Sequence, residues 1–320
     1  MVKKNKEIEF KYCLSINNIL MPFIDSSYLN PILCPTHTHK YPPFLNDKLI
    51  EEYILERILK EKPALNFIYI PILWTNLIWK AQRDKKSIFK LYNSLIKQLA
   101  QSNPNKRFIT ICQNATGPIF PIPKNTIVWG GSVGHMPIPL IYEDKTNYLE
   151  NLPKKKFIDK SILCSFVGSV VNNKQGRTRE IIKDKLKNNK NFYFSTNNWQ
   201  LEVDKKRQQH FVDITLDSKF CLAPRGYGRS SIRFFEAFLL KSIPIYIWDD
   251  VNWLPYKERI DYSKFCIVLN ITDIDKLESI LINIDEDKYQ DMWREYEKIK
   301  HYFTLDGLYN YFIDFCRTHQ

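Results

Sequence analysis

The sequence predicts an α/β fold in two domains. Three observations carry that expectation. The chain has 320 residues, which suits two domains of roughly 150 residues each. Short apolar runs alternate with amphipathic helical stretches along most of its length. The alternation breaks once, at Pro153 and the Lys154-Lys155-Lys156 run, and then restarts. Two successive halves of this kind are expected to form two Rossmann-like domains facing each other across a cleft, with ligands beyond the carboxyl ends of the strands.

The first half opens with a helix over residues 47–62, whose Ile50, Tyr53, Ile54, Ile58 and Leu59 share one face. Residues 66–71 read as a short buried strand. Residues 77–99 read as a second helix, stopped by Ser102-Asn103-Pro104. Residues 107–112 form a strand followed by the polar turn 113–117, and 126–129 form another. In the second half, strands are expected at 161–167, 191–194, 219–222, 243–248 and 265–269. Helices are expected at 178–186, 201–211, 231–240 and 274–284. The domains are therefore 1–153 and 154–295, with 296–320, including the end of a charge-rich helix at 287–302, packing back on the first domain.

Composition removes several classes. Hydrophobic residues at 44% and charged residues at 26% exclude a disordered or collagenous chain. Lys+Arg 47 against Asp+Glu 35 gives +12, which favours an anionic partner without naming it. Nucleic acid is disfavoured, because the lysines are spread over many helices and no recognition signature occurs. The apolar run 19–24 is too short for a signal peptide and is followed by Asp25-Ser26-Ser27. No window has the roughly 20 apolar residues of a membrane span, so a cytoplasmic location is expected. The cysteines are Cys13, Cys34, Cys112, Cys164, Cys221, Cys266 and Cys316. Their number is odd, no CxxC occurs, and Cys112, Cys164, Cys221 and Cys266 lie in strand runs, which fits buried free thiols.

The chemistry concentrates at residues 220–237, a strand, a glycine-containing loop and a helix starting near Ser230 or Ser231. A serine there can cap the helix. Gly226 and Gly228 allow close backbone approach, the free N–H groups of the helix favour an anion, and Arg225, Arg229 and Arg233 supply guanidinium donors suited to phosphate. Arg233 and Glu236 are three apart and share a face. Such a site can hold a diphosphate with Arg233 and a sugar hydroxyl pair with Glu236. A plain ion pair between those two side chains is the competing reading, and would be worth under about 1 kcal/mol. The loop is neither a P-loop nor the GxGxxG fingerprint.

These residues resemble a known family. Ser218-Lys-Phe-Cys-Leu-Ala-Pro-Arg-Gly226, Ser231-Ile-Arg233, Glu236-Ala237, Ile243-Pro244 and Asp249 are similar to the C-terminal signature of the exostosin-like glycosyltransferases. The likeness continues through Trp253-Leu-Pro-Tyr256 and Ile260-Asp-Tyr-Ser-Lys-Phe265, and reaches back to Phe166-Val-Gly168 and Arg179. The resemblance implies a GT-B fold and inverting transfer from a nucleotide diphosphate sugar, usually a UDP-sugar, to a glycan or glycoprotein acceptor. The helix end and the arginines can stabilise the leaving diphosphate without a metal cofactor. It implies that Arg233 neutralises the diphosphate with help from Arg225, that Glu236 accepts from the ribose hydroxyls, and that Gly168 and Ser169 border the donor with Gly226, Gly228, Ser230 and Ser231. Peripheral membrane contact is also compatible with the charge.

Inverting transfer needs a general base for the acceptor hydroxyl. The candidates are His37 and His39 in Pro35-Thr-His-Thr-His39, His135 after the glycine-rich turn that begins at Trp129, and Glu143. His135 is expected at the carboxyl end of its strand. Asp249-Asp250 reads as a turn or cap after a strand. The alternative to an enzyme is a catalytically inactive nucleotide- or glycan-binding relative of the same fold.

Overall fold

The computed structural model describes residues 50–81, 103–119, 121–142, 146–170, 177–198 and 204–319, with isolated positions between 15 and 20 and between 93 and 101. Two sheets are present. The first orders its strands as in the sequence: β1 (Ser15–Ile16), β2 (Ile19–Leu20), β3 (Ile68–Tyr69), β4 (Phe108–Cys112), β5 (Thr126–Gly130) and β6 (Met136–Pro137). Apart from the β1–β2 pair its ladders are parallel. Strand β4 is buried at every position, as a run covered on both faces must be. Helices α1 (Ile50–Glu61) and α2 (Trp74–Ala81) lie in the crossovers, and α1 buries Ile50, Ile54, Leu55 and Ile58.

The second sheet is wholly parallel: β7 (Ile162–Ser169), β8 (Phe192–Asn197), β9 (Ser218–Pro224), β10 (Ile243–Trp248) and β11 (Ile267–Asn270). Its order is β11-β10-β9-β7-β8. The chain passes from β7 outward to β8, then returns to β9 on the other side of β7. The connecting helices are α4 (Thr178–Leu186), α5 (Lys205–Leu216), α6 (Ile232–Leu239) and α7 (Leu277–Ile282), and the short α3 (Tyr148–Asn151) precedes β7. Helix α5 starts at Lys205, later than expected, because the Asp204 carboxylate caps it by accepting from the Arg207 N–H. The expected 274–284 helix divides into a tight turn over Ile271–Lys276 and then α7.

The charge-rich helix is corrected in place. As α8 (Glu286–Ile299) it packs on the second domain: Tyr296 stacks on Phe238 at 4.0 Å between centroids, and Tyr289 meets Phe220 edge-on at 5.9 Å. Its buried side chains, Tyr289, Met292, Trp293 and Tyr296, form the stripe that selects this face. The chain returns to the first sheet only in α9 (Leu305–Thr318). There Phe312 contacts Trp129 at 5.2 Å and Tyr69 at 5.9 Å, both edge-on, and the Asn66 N–H donates to the Cys316 carbonyl. Cys112, Cys164, Cys221, Cys266 and Cys316 are buried free thiols. Among the described residues no helix is long and apolar enough to cross a membrane.

Phe312 is fully buried where α9 closes the first sheet. Phe312→Ala is expected to lower unfolding free energy by about 3–5 kcal/mol, read from urea denaturation monitored by tryptophan fluorescence.

Candidate functional site

The order of the second sheet reverses between β7 and β9, and the crevice beyond their carboxyl ends is where such sheets bind ligands. Two arginines converge there. Arg179, on α4, donates from Nη1 to the Ser169 carbonyl at 2.9 Å and from Nε to the Arg225 carbonyl at 3.0 Å, tying the end of β7 to the end of β9. Arg233, on α6, donates from Nη2 to the Val167 carbonyl at 2.6 Å. Both guanidinium groups lie over Phe166, at 5.7 and 4.9 Å from its ring centroid. The Arg233 Nε is buried without a hydrogen-bond partner, a donor already desolvated beside the crevice.

The two glycines here are explained by these arginines. Gly168 has φ 149°, and a Cβ on it would stand 2.4 Å from Arg233 Nη2. A Cβ on Gly226 would stand 2.6 Å from Arg179 Nη2. Each glycine thus makes room for a guanidinium against the backbone.

Arg225 departs from its expected role. It is 6% exposed and its Nη1 donates to Asp249 at 2.6 Å and to Asp250 at 2.8 Å. Asp249 also accepts from the Thr178 hydroxyl, and Asp250 from Arg229 Nε and Nη2. Burial pushes the Asp250 carboxyl up, but the Arg229 hydrogen bonds and the Arg225 charge outweigh it and hold the group well below the usual carboxylate range. The charge of Arg225 is therefore answered by carboxylates, and the Asp249-Asp250 pair anchors the two arginines as well as turning the chain. Ser231 takes the capping position of α6, but its hydroxyl makes no capping bond. Ser230 is half-buried in the loop before it.

The other side of the loop meets the first domain. The Ser132 hydroxyl accepts from the Arg229 N–H at 2.6 Å, and the Ser132 carbonyl from Arg229 Nη1 at 3.1 Å. Trp253 Nε1 donates to the Gly130 carbonyl at 3.0 Å. A Cβ on Gly228 would stand 2.9 Å from both Ala115 Cβ and Ser132 Oγ. Loops at the carboxyl ends of both sheets therefore face each other.

Glu236 lies near Arg233 and is 4% exposed. Burial pushes its carboxyl up to about 7, against the Arg233 charge and a hydrogen bond from the Tyr142 hydroxyl at 3.0 Å. No ion pair joins Arg233 to Glu236 among the described residues. Tyr142, from the first domain, takes the place that the helical spacing suggested for Arg233.

The candidate bases fare differently. His135 is exposed, and its Nδ1 accepts from the Val128 N–H at 3.0 Å while its own N–H donates to the Val128 carbonyl. The ring thus lies level with the middle of β5, not beyond its end. Nδ1 is thereby engaged by the strand backbone, so only Nε2 could act on a substrate. His37, His39 and Glu143 lie outside the described residues. Sequence reasoning passed over Glu51, buried in the first turn of α1, which accepts from the Thr75 N–H and hydroxyl and from the Gln113 N–H. Burial pushes it up to about 7 despite those bonds. In sequence it is one of two acidic residues at a helix start, which reads as complementing the helix dipole. Among the described residues no group of three His, Cys, Asp or Glu side chains could hold a metal.

Residues 123–284 match the model of the exostosin GT47 domain, which is half of the chain. The chain belongs to the exostosin GT47 family. Its relatives include a probable glycosyltransferase of Arabidopsis thaliana, 29% identical over 98 residues, or 30% of this chain and 20% of that protein. An exostosin-1 homolog of Caenorhabditis elegans is 28% identical over 105 residues, 30% of this chain and 27% of its own length. A probable glucuronosyltransferase of Oryza sativa subsp. japonica is 31% identical over 91 residues, 28% and 22% of the two chains. The matches thus span about a fifth to a quarter of these relatives. The solved structure of TarM aligns with 65% of this chain and 54% of its own, with a TM-score of 0.36 and 11% identity. In this exostosin GT47 chain the matched stretch includes Tyr142, Arg179, Arg233 and Glu236, and so contains the whole arginine and carboxylate cluster.

The raised Glu236 carboxyl has a consequence for stability. Its ordinary value is 4.5 and its folded value about 7, so between these the folded chain keeps a proton that the unfolded chain releases. The contribution is fully present below pH 4.5 and is lost as pH rises through 7. Glu51 adds a slope of the same sign. Glu236→Gln is expected to flatten part of the fall in stability between pH 5 and pH 8, read from urea unfolding at both pH values.

Proposed function

We propose that this chain is a glycosyltransferase that takes a sugar from a nucleotide diphosphate sugar, with UDP as the leaving group, and passes it to a hydroxyl of a glycan or glycoprotein with inversion. The observation that carries the reading is the pair of guanidinium groups, Arg179 and Arg233, held at the switch point beside the buried Glu236. Diphosphate departure develops negative charge, and donors fixed in advance stabilise it without reorganising at the moment of reaction. Arg233, with its buried Nε, is assigned to the phosphates, and Glu236 to the ribose hydroxyls. Two fixed cations beside the leaving group support transfer without a metal ion. Arg225 is removed from the phosphate contacts and assigned to holding the loop.

The base is proposed to come from the first domain, with His135, His37 and His39 as its candidates. Relatives named as glucuronosyltransferases make UDP-glucuronic acid a donor to include in any panel.

The test is calorimetric titration with UDP, followed by release of free UDP from a panel of UDP-sugars and acceptors. Arg233→Ala is expected to weaken UDP binding by about tenfold or more, and chelation by EDTA to leave binding unchanged. No UDP binding by the wild-type chain would sink the proposal. Binding without turnover for any donor and acceptor would identify a nucleotide-binding relative instead.

A further inference from the structure

The carboxylate assigned to the ribose is already occupied. Glu236 is 4% exposed, and its Oε1 accepts from the Tyr142 hydroxyl at 3.0 Å. Tyr142 does not belong to the second sheet. It lies on the segment that leaves the first sheet after β6, where the Ile138 N–H still donates to the Gly130 carbonyl. Above its raised value of about 7 the Glu236 carboxylate is an acceptor only, and a buried carboxylate without a donor loses its hydration with nothing in return. The Tyr142 phenol supplies that donor.

We propose that Tyr142 is a placeholder for a ribose hydroxyl, and that by competing for Glu236 it limits how strongly the site prefers nucleotides carrying the 2′,3′-diol. The proposal rests on the reading of Glu236 as the ribose acceptor. A ligand with the diol replaces the phenol hydroxyl on the carboxylate, one donor for another, and gains the second hydroxyl as well. A ligand without the diol leaves Tyr142 on Glu236 and draws nothing from that carboxylate. Tyr142 therefore keeps the carboxylate satisfied when the site is empty and reduces the net gain when a diol arrives. It acts through Glu236 and is a positioning residue.

The test compares UDP with 2′,3′-dideoxy-UDP by calorimetry on the wild-type chain, Tyr142→Phe and Glu236→Gln. Tyr142→Phe is expected to bind UDP about three- to tenfold more tightly than wild type, since one fewer hydrogen bond is broken. Its affinity for the dideoxy compound is expected to stay the same, so its preference for the diol widens. A general loosening of the fold would move both ligands together. Tyr142→Leu, which also lacks the hydroxyl, is expected to shift the preference in the same direction. Unchanged or weaker UDP binding by both Tyr142 variants, with wild-type preference for UDP intact and lost in Glu236→Gln, overturns the placeholder alone. Failure of wild type to bind UDP, or a Glu236→Gln variant that keeps the full preference, overturns both this proposal and the ribose reading beneath it.

Discussion

The site depends on guanidinium groups bonded to backbone carbonyls at the end of a parallel sheet. The strands of such a sheet stop with carbonyl oxygens that no further strand can satisfy. At β7 and β9 those of Val167, Ser169 and Arg225 are taken by Arg233 and Arg179. A guanidinium has five donors in a rigid plane, so part of the fork can bind the strand ends while the group's charge stays at the crevice. The arrangement explains Gly168 and Gly226, whose missing side chains leave room for the two arginines. It also sets the geometry of the loop between them.

A second set of charges separates structural from chemical arginines. Arg225 pairs with both Asp249 and Asp250, and Arg229 with Asp250; the guanidinium of Arg225 is buried while both carboxylates reach solvent, and Thr178 supports Asp249. Buried ion pairs add little net stability over apolar packing, but removing one partner is costly. Their effect here is positional. Arg229 also reaches Ser132, so the same charges that shape the loop fix its contact with the first domain. The aromatic packing of α8 and α9 does the corresponding work behind the sheets, through Phe238 and Tyr296 on one side and Phe312 and Trp129 on the other.

Much of the second domain was legible because its signals are local. A strand, two glycines and a helix start within one short window define a crevice wall, and the apolar runs of β7, β9 and β10 announce a parallel sheet. The arginines of the loop were equally visible, but their partners were not. Asp249 and Asp250 lie a whole helix and strand beyond Arg225, and only parallel pairing of β9 with β10 brings them together. Helical spacing brought Arg233 near Glu236, yet the carboxylate bonds to Tyr142, which lies 94 residues earlier in the chain. The place of His135 escaped for a similar reason: a glycine turn after a strand suggests a position beyond the strand's end, whereas the turn folds back to set the ring beside Val128.

The sequence by itself determined the α/β class, the family, the segment that carries the chemistry and the residues Arg233 and Glu236, because each follows from residue types within one element or one β-loop-α unit. Tertiary structure alone decided which charges remain for a ligand. That choice depends on contacts between elements far apart in the chain: Arg225 is neutralised by the end of β10, Arg179 is brought to the switch point by α4, and Glu236 is buried under a tyrosine from the other domain. Burial and pairing are properties of the assembled fold, and they turn one basic loop into structural and chemical halves.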